Sequence, residues 1–144
     1  MKINFLMSIL LVACLRGVGV AEAELLLFGG SGHDEFLGCV DCNEYSSESV
    51  CNEYGKFGND YSSDSIWNEY SSFGNEYASQ SPWNEYSTSK SVPVLVDNQG
   101  KFYGYFTINS YRSDAVDFSD ELGKLYESLS GDLEDIREAF CDAF

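Results

Sequence analysis

Six times between residues 43 and 86 the chain repeats an asparagine, an acid and a tyrosine: Asn43-Glu44-Tyr45, Asn52-Glu53-Tyr54, Asn59-Asp60-Tyr61, Asn68-Glu69-Tyr70, Asn75-Glu76-Tyr77 and Asn84-Glu85-Tyr86. The asparagines are separated by 9, 7, 9, 7 and 9 residues, so the full unit is 16 residues long. A fixed period of this length points to architectures in which a small motif stacks on its own copies and shares a core with them. Aligned units place Ser47, Ser63 and Ser79 in one column, Ser49, Ser65 and Ser81 in a second, and Cys51, Trp67 and Trp83 in a third, while Phe57-Gly58 matches Phe73-Gly74. Fixed and free positions roughly alternate through Ser-x-Ser-x-Trp, the period of a strand with one buried face. The intervening Gly, Ser and Asn supply turns.

The expectation is therefore two short strands and two turns per unit, in a solenoid-like or hairpin-stack region. Tyr45, Tyr61 and Tyr77 would lie over one another, as would Tyr54, Tyr70 and Tyr86, and Trp67 over Trp83, each ring burying about 150–250 Å². The opposing reading is a disordered, adhesive Ser/Asn/Tyr tract. Against it stand two Trp, two Phe and six Tyr in strict register, more apolar area than a disordered acidic segment normally carries.

On the flanks, Leu25-Leu-Leu-Phe28 reads as a buried strand and residues 29–34 as a Gly-rich loop. No Gly-Lys-Ser/Thr follows, so the loop carries no phosphate-binding signature. Val92–Asp97 and Lys101–Asn109 read as a hairpin around Asn98-Gln99-Gly100. From Ser113 the apolar period becomes helical: Ala115, Phe118, Leu122, Leu125, Tyr126 and Leu129, with Ser113 or Asp114 as N-cap. Gly131 interrupts, and Asp132 caps a second helix with Leu133, Ile136 and Phe140 on one face. The fold class expected is mainly β with C-terminal helices, α+β. Residues 24–144 form one domain, divided into a β-repeat region at 24–90, a hairpin at 91–109 and a helical end at 112–144.

The N-terminus begins Met1-Lys2, runs apolar from Ile3 to Leu15, and reaches Ala21-Glu22-Ala23. A basic start, an apolar stretch of about 7–15 residues and an A-x-A ending mark a secretory signal peptide over residues 1–23. Leu11-Val12-Ala13-Cys14 offers a competing reading as a lipobox, with the protein lipid-anchored through Cys14. Secretion, or release into a periplasm, is the location expected, with no transmembrane segment after export. The chain holds 8 basic and 24 acidic residues, net −16. Loss of residues 1–23 removes Lys2, Arg16 and Glu22, leaving 6 against 23 and a net charge of −17. That balance argues against nucleic-acid binding, which draws on clustered Lys and Arg, and against anionic membrane surfaces.

Cys39, Cys42, Cys51 and Cys141 remain after such cleavage, and in an oxidising compartment two disulfides are the default. Four cysteines allow three connectivities; the favoured one has Cys141 reaching back to an early cysteine. Cys39-Val-Asp-Cys42 also has the spacing of redox and metal motifs, but lacks the βαβ setting of a thioredoxin-like pair. His33, the sole histidine, stands beside Asp34 in a loop and reads as a local hydrogen-bond partner rather than a general base. Calcium is the one cofactor the pattern suggests: Asn43, Glu44, Asn59, Asp60, Asn75 and Glu76 are oxygen donors that stacking would align, although no EF-hand or glycine-rich nonapeptide spacing is present. A further reading is glycan or cell-wall binding through the repeat Tyr and Trp. A hydrolase using repeat carboxylates is the weakest, because the same Glu recurs at 44, 53, 69, 76 and 85.

The order of features resembles an uncharacterised group of small exported bacterial proteins. The resemblance is carried by Leu25-Leu-Leu-Phe-Gly-Gly30, Phe36-Leu-Gly-Cys-Val-Asp-Cys42, the Trp-Asn-Glu-Tyr repeats, Phe102-Tyr-Gly-Tyr-Phe-Thr107 and a C-terminal helix with a cysteine. It implies export and a shared fold, and transfers no site residues. A structural or binding role, rather than catalysis, is the expectation.

Overall fold

The structure, a computed structural model, describes residues 24–143. The signal-peptide and lipobox readings, Cys14 included, lie outside the described residues. Four strands form one antiparallel sheet: β1 (Leu25–Gly29), β2 (Glu35–Cys39), β3 (Val94–Asp97) and β4 (Phe102–Tyr105), in the order β2-β1-β3-β4. Leu25, Leu27 and Gly29 are buried, whereas Leu26 and Phe28 are only half-buried, the alternation of a strand with one fully covered face. Asp97 turns the β3–β4 hairpin: its Oδ1 accepts from the backbone of Gln99 and Lys101, both at 2.9 Å. Desolvation pushes its carboxyl up, but those two bonds and the Tyr103 hydroxyl outweigh it and hold the group below the usual carboxylate range.

β2 was not expected as a strand. Phe36-Leu-Gly-Cys39 lacks an alternating pattern because three successive positions, Leu37, Gly38 and Cys39, are buried. Gly38 sits where Val50 and Phe57 of the first repeat unit close in on the strand.

The principal correction concerns the repeats. Between Asn43 and Ser87 the chain builds consecutive turns rather than strands, apart from one bridge joining Ser49 to Cys39. Backbone bonds link Ser46 to Asn43, Ser49 to Ser46, Asn52 to Ser49 and Gly55 to Asn52, and the same three-residue step recurs after Asn59 and Asn75. Most corners are held by their own side chain. Asn or Ser oxygens accept from the amide two residues on, as in Asn43 to Tyr45 (2.8 Å), Ser49 to Cys51 (2.9 Å) and Ser65 to Trp67 (3.1 Å). These local bonds compete with a ladder, which is why Ser- and Asn-rich sequence turns here instead of extending. Burial follows the turns: Ser65, Ile66 and Trp67 are buried in succession, and Ser81, Pro82 and Trp83 likewise, whereas Ser47, Ser63 and Ser79 are exposed.

Neighbouring units are joined through the Trp column. The Trp67 indole donates to the Val50 carbonyl at 2.7 Å, and Trp83 makes the equivalent bond to Ile66, in both cases spanning 17 residues. The Trp67 and Trp83 rings lie 5.5 Å apart. Gly58 and Gly74 close each unit where its backbone runs over the carbonyl of Asn52 or Asn68; a Cβ would come within 2.0 Å and 1.8 Å of those oxygens.

Two helices follow, α1 (Ser119–Ser128) and α2 (Leu133–Asp142). α1 begins later than the apolar period suggested and has no side-chain cap; Ala115 is held instead in a bridge to Tyr105. α2 starts as expected, with Asp132 accepting from the amides of Glu134 and Asp135, and Gly131 takes a positive φ of 72° between the helices. Both helices pack on the Trp column. Cys51 is bonded to Cys141, Trp67 meets Phe140 at 6.0 Å, and Trp83 stacks on Tyr126 at 5.7 Å with 12° between the planes. The column aligned as Cys, Trp, Trp in sequence is thus the seam between the repeats and the helical end. Buried Arg137 adds to it, donating to the Gly58 carbonyl at 2.8 Å and lying 3.6 Å from Glu53.

Candidate binding surface

Every Asn-acid-Tyr triplet occupies the same position in its turn. The asparagine Oδ1 accepts from the tyrosine amide at distances from 2.6 Å at Tyr61 to 3.0 Å at Tyr54, Tyr70 and Tyr86. The acid and tyrosine thereby sit at the turn's outer corner, and the rings project from the protein: Tyr45, Tyr54, Tyr61, Tyr70, Tyr77 and Tyr86 are each 81–89% exposed. The expected burial of these rings in stacked files is therefore corrected. The buried aromatics are Trp67 and Trp83, each 1% exposed, so neither is a surface platform for a ligand.

The two files differ. Beside Tyr54, Tyr70 and Tyr86, the preceding glutamates Glu53, Glu69 and Glu85 raise the phenol pKa values above the ordinary tyrosine range. The asparagines behind them carry a second bond: the Nδ2 atoms of Asn52, Asn68 and Asn84 donate to the carbonyls of Ser46, Ser62 and Ala78. A seventh member was missed in the sequence. Asn109-Ser110-Tyr111 makes the same Oδ1-to-amide bond at 3.2 Å, Asn109 Nδ2 donates to the Ser87 carbonyl, and Tyr111 is 97% exposed. One residue earlier, the Ile108 amide donates to the Pro82 carbonyl, in the place where Trp67 and Trp83 serve the preceding units. The signal was present as Asn-x-Tyr, but Ser110 replaces the acid and the triplet falls off the 16-residue register.

Between the tyrosines and α1 lies an open groove of about 1020 Å³ whose walls include Tyr77, Tyr86, Tyr111 and Tyr126, with Glu76, Glu85 and Glu127. Lys124, on the same wall, is paired with Asp120 at 2.9 Å. The Tyr126 hydroxyl donates to Glu76 at 3.3 Å; burial, then the Glu76 charge, pushes this phenol up to about 12. Around the disulfide, Tyr45, Tyr54, Glu44, Glu53 and Asp142 line a smaller recess of about 300 Å³.

Of the residues proposed from sequence as calcium donors, the asparagines are engaged in the backbone turns: Asn43, Asn59 and Asn75 use Oδ1 to hold them. Glu44 and Glu76 are exposed and Asp60 is half-buried. Among the described residues no three His, Cys, Asp or Glu side chains come together as metal ligands. His33 has a positive φ of 52°, its ring meets the edge of Tyr105 at 5.7 Å, and its buried Nε2 has no hydrogen-bond partner. It is thus not the local hydrogen-bonding group expected. Of the four cysteines, Cys51 and Cys141 form the disulfide, while Cys39 and Cys42 are free thiols in place of the second bridge expected.

No protein-family model matches the chain, and no curated protein or solved structure matches it. The fold is α+β, an antiparallel four-stranded sheet with two C-terminal helices. No helix among the described residues is long and apolar enough to cross a membrane.

Proposed function

We propose that this is an exported, non-catalytic binding protein, in which three stacked, turn-built units form a short solenoid displaying the repeat tyrosines to a repeating neutral or amino-sugar polysaccharide. The observation that carries the reading is the exposure of all six rings on identical turns. Each exposed ring forfeits the gain of burial, and apolar surface displayed repeatedly is the kind that marks an interaction site. A flat ring beside a carboxylate offers a sugar both an apolar platform and a hydrogen-bond acceptor. The net charge of −16 sets the ligand's charge class, since an anionic polymer would be repelled. Equal spacing of sites lets weak contacts add by effective concentration. The Cys51–Cys141 disulfide fits an oxidising compartment and hence export, in line with the resemblance to exported proteins.

The test is co-sedimentation with insoluble β-glucan and N-acetylglucosamine polymers, with a sulfated polysaccharide as anionic control. At about 1 kcal/mol per stacked ring, replacing Tyr54, Tyr70 and Tyr86 by Ala weakens retention roughly a hundredfold, because about 1.4 kcal/mol is tenfold. The fold of the triple variant stays intact because the rings cover no core. Equal retention of wild type and variant, or no retention on any uncharged or amino-sugar polymer, would falsify the reading.

A further inference from the structure

Cys39 and Cys42 stand outside the tyrosine surface, at the junction where β2 hands over to the first repeat unit. Cys39 is 1% exposed, and its backbone is fixed on both sides: its amide donates to Glu48 at 2.7 Å and its carbonyl accepts from Val50 at 2.9 Å. Cys42 is half-exposed. The chain between them folds back so that the Cys42 amide donates to Cys39 Sγ at 3.0 Å, and the Cys42 thiol donates to the Cys39 carbonyl at 3.8 Å. Asp41 completes the group. Its Oδ1 lies 3.6 Å from Cys39 Sγ and also accepts from the Leu25 amide at 2.7 Å, which locks the carboxylate against the buried sulfur.

We propose that Cys39, Asp41 and Cys42 form a thiol–disulfide exchange site that reacts with low-molecular-weight disulfides. Accessibility assigns the order. The Cys42 thiolate attacks one sulfur of the incoming disulfide, forming a mixed disulfide and releasing one thiol. Cys39 then gives its proton to Asp41, and its sulfur attacks Cys42, breaking the mixed bond and expelling the second thiolate, which leaves as a thiol once it takes up the proton released from Asp41. The balance is one dithiol and one external disulfide in, one internal Cys39–Cys42 disulfide and two thiols out. Burial raises both thiols above the ordinary cysteine range and raises the Asp41 carboxyl as well. The pair therefore rests as thiols, exchanges slowly at neutral pH, and forms a bridge that resists reduction. Closure would fix the loop that joins the sheet to the repeats, with Cys51–Cys141 holding the far side of the same unit.

The experiment uses the whole protein, reduced and then exposed to oxidised glutathione, with alkylation and peptide mapping over time. Expected in the wild type is a Cys39–Cys42 bridge and little persistent glutathione. In Cys39→Ser, glutathione accumulates on Cys42 because nothing resolves it; in Cys42→Ser, Cys39 acquires it at least tenfold more slowly. Asp41→Asn keeps an acceptor for the Leu25 amide but not a proton acceptor, so the mixed disulfide on Cys42 persists longer than in the wild type. The proposal is overturned if both wild-type thiols remain free to alkylate, if glutathione loads Cys39 as fast as Cys42 in the paired variants, or if Asp41→Asn leaves the mixed-disulfide lifetime unchanged. The wild-type map decides the first point without any variant having to fold.

Discussion

At the scale of single residues, the structure turns on side chains that close turns and on the few places where nothing larger than hydrogen fits. Gly74 is one such place. An alanine there would set its Cβ 1.8 Å from the Asn68 carbonyl oxygen, a backbone atom that cannot swing aside. Gly74→Ala should cost about 3 kcal/mol, the upper end of overpacking penalties, and lower Tm by roughly 10 °C. Ser72→Ala, on an exposed position two residues away, should leave it unchanged. Tyr126 makes a prediction in pH. Its phenol titrates near 10 when unfolded and near 12 in the fold, so the neutral form stabilises the native state. That contribution is fully present below pH 10 and is lost as pH rises towards 12. Thermal melts from pH 9 to pH 11.5 should therefore fall less steeply for Tyr126→Phe than for the wild type; identical slopes would show that Glu76 and burial do not act on this phenol.

At the scale of elements, α2 is attached to the repeats at three successive levels, by a disulfide, an aromatic contact and a buried guanidinium. The disulfide closes a loop across a sequence separation of 90 residues. Chain-entropy reasoning gives such a crosslink a contribution of about 4–5 kcal/mol, a large share of a typical domain's stability. Cys51→Ala with Cys141→Ala should lower the denaturation midpoint accordingly. Truncating Trp67 to Phe removes the indole donor, leaving the Val50 carbonyl buried without it at a cost of about 1–3 kcal/mol, and also leaves a small cavity beside Trp83 and Phe140. Guanidinium melts of the two variants should rank the crosslink above the hydrogen bond, and the reverse ranking would place the seam's strength in the Trp column instead.

At the scale of the whole molecule, charge is the dominant property. With 24 acids against 8 bases and a pI near 4.1, most carboxylates lie on turns and helix surfaces where like charges repel. Screening reaches about 10 Å at 0.1 M salt, so raising ionic strength from 0.01 M to 0.3 M should increase Tm by a few degrees, measured by calorimetry with a monovalent salt. A fall would mean that ion pairs such as Lys56–Asp64 and Lys124–Asp120 outweigh the repulsion.

What the sequence by itself determined is the part governed by local chemistry. The 16-residue period, the Asp132 cap, the break at Gly131, the hairpin around Asn98–Gly100 and the Trp67–Trp83 contact were all legible, because caps, turn residues and translational repetition act over short distances. A finer signal was there as well: Asn, Ser, Gly or Ala stands at every third residue from 43 to 55, 59 to 71 and 75 to 87, the spacing of shared turn corners rather than of strands. Tertiary structure alone decided which side of each turn faces inward. Repetition specifies that equivalent residues share an environment, not whether that environment is core or solvent, so Trp67 and the six tyrosines could not be told apart by periodicity. The pairing of β1 with β3, the choice of Cys51 for Cys141, and the recruitment of Tyr111 beside the repeat tyrosines likewise depend on contacts between residues far apart in the chain, where burial of one common core selects among arrangements that local preference leaves equal.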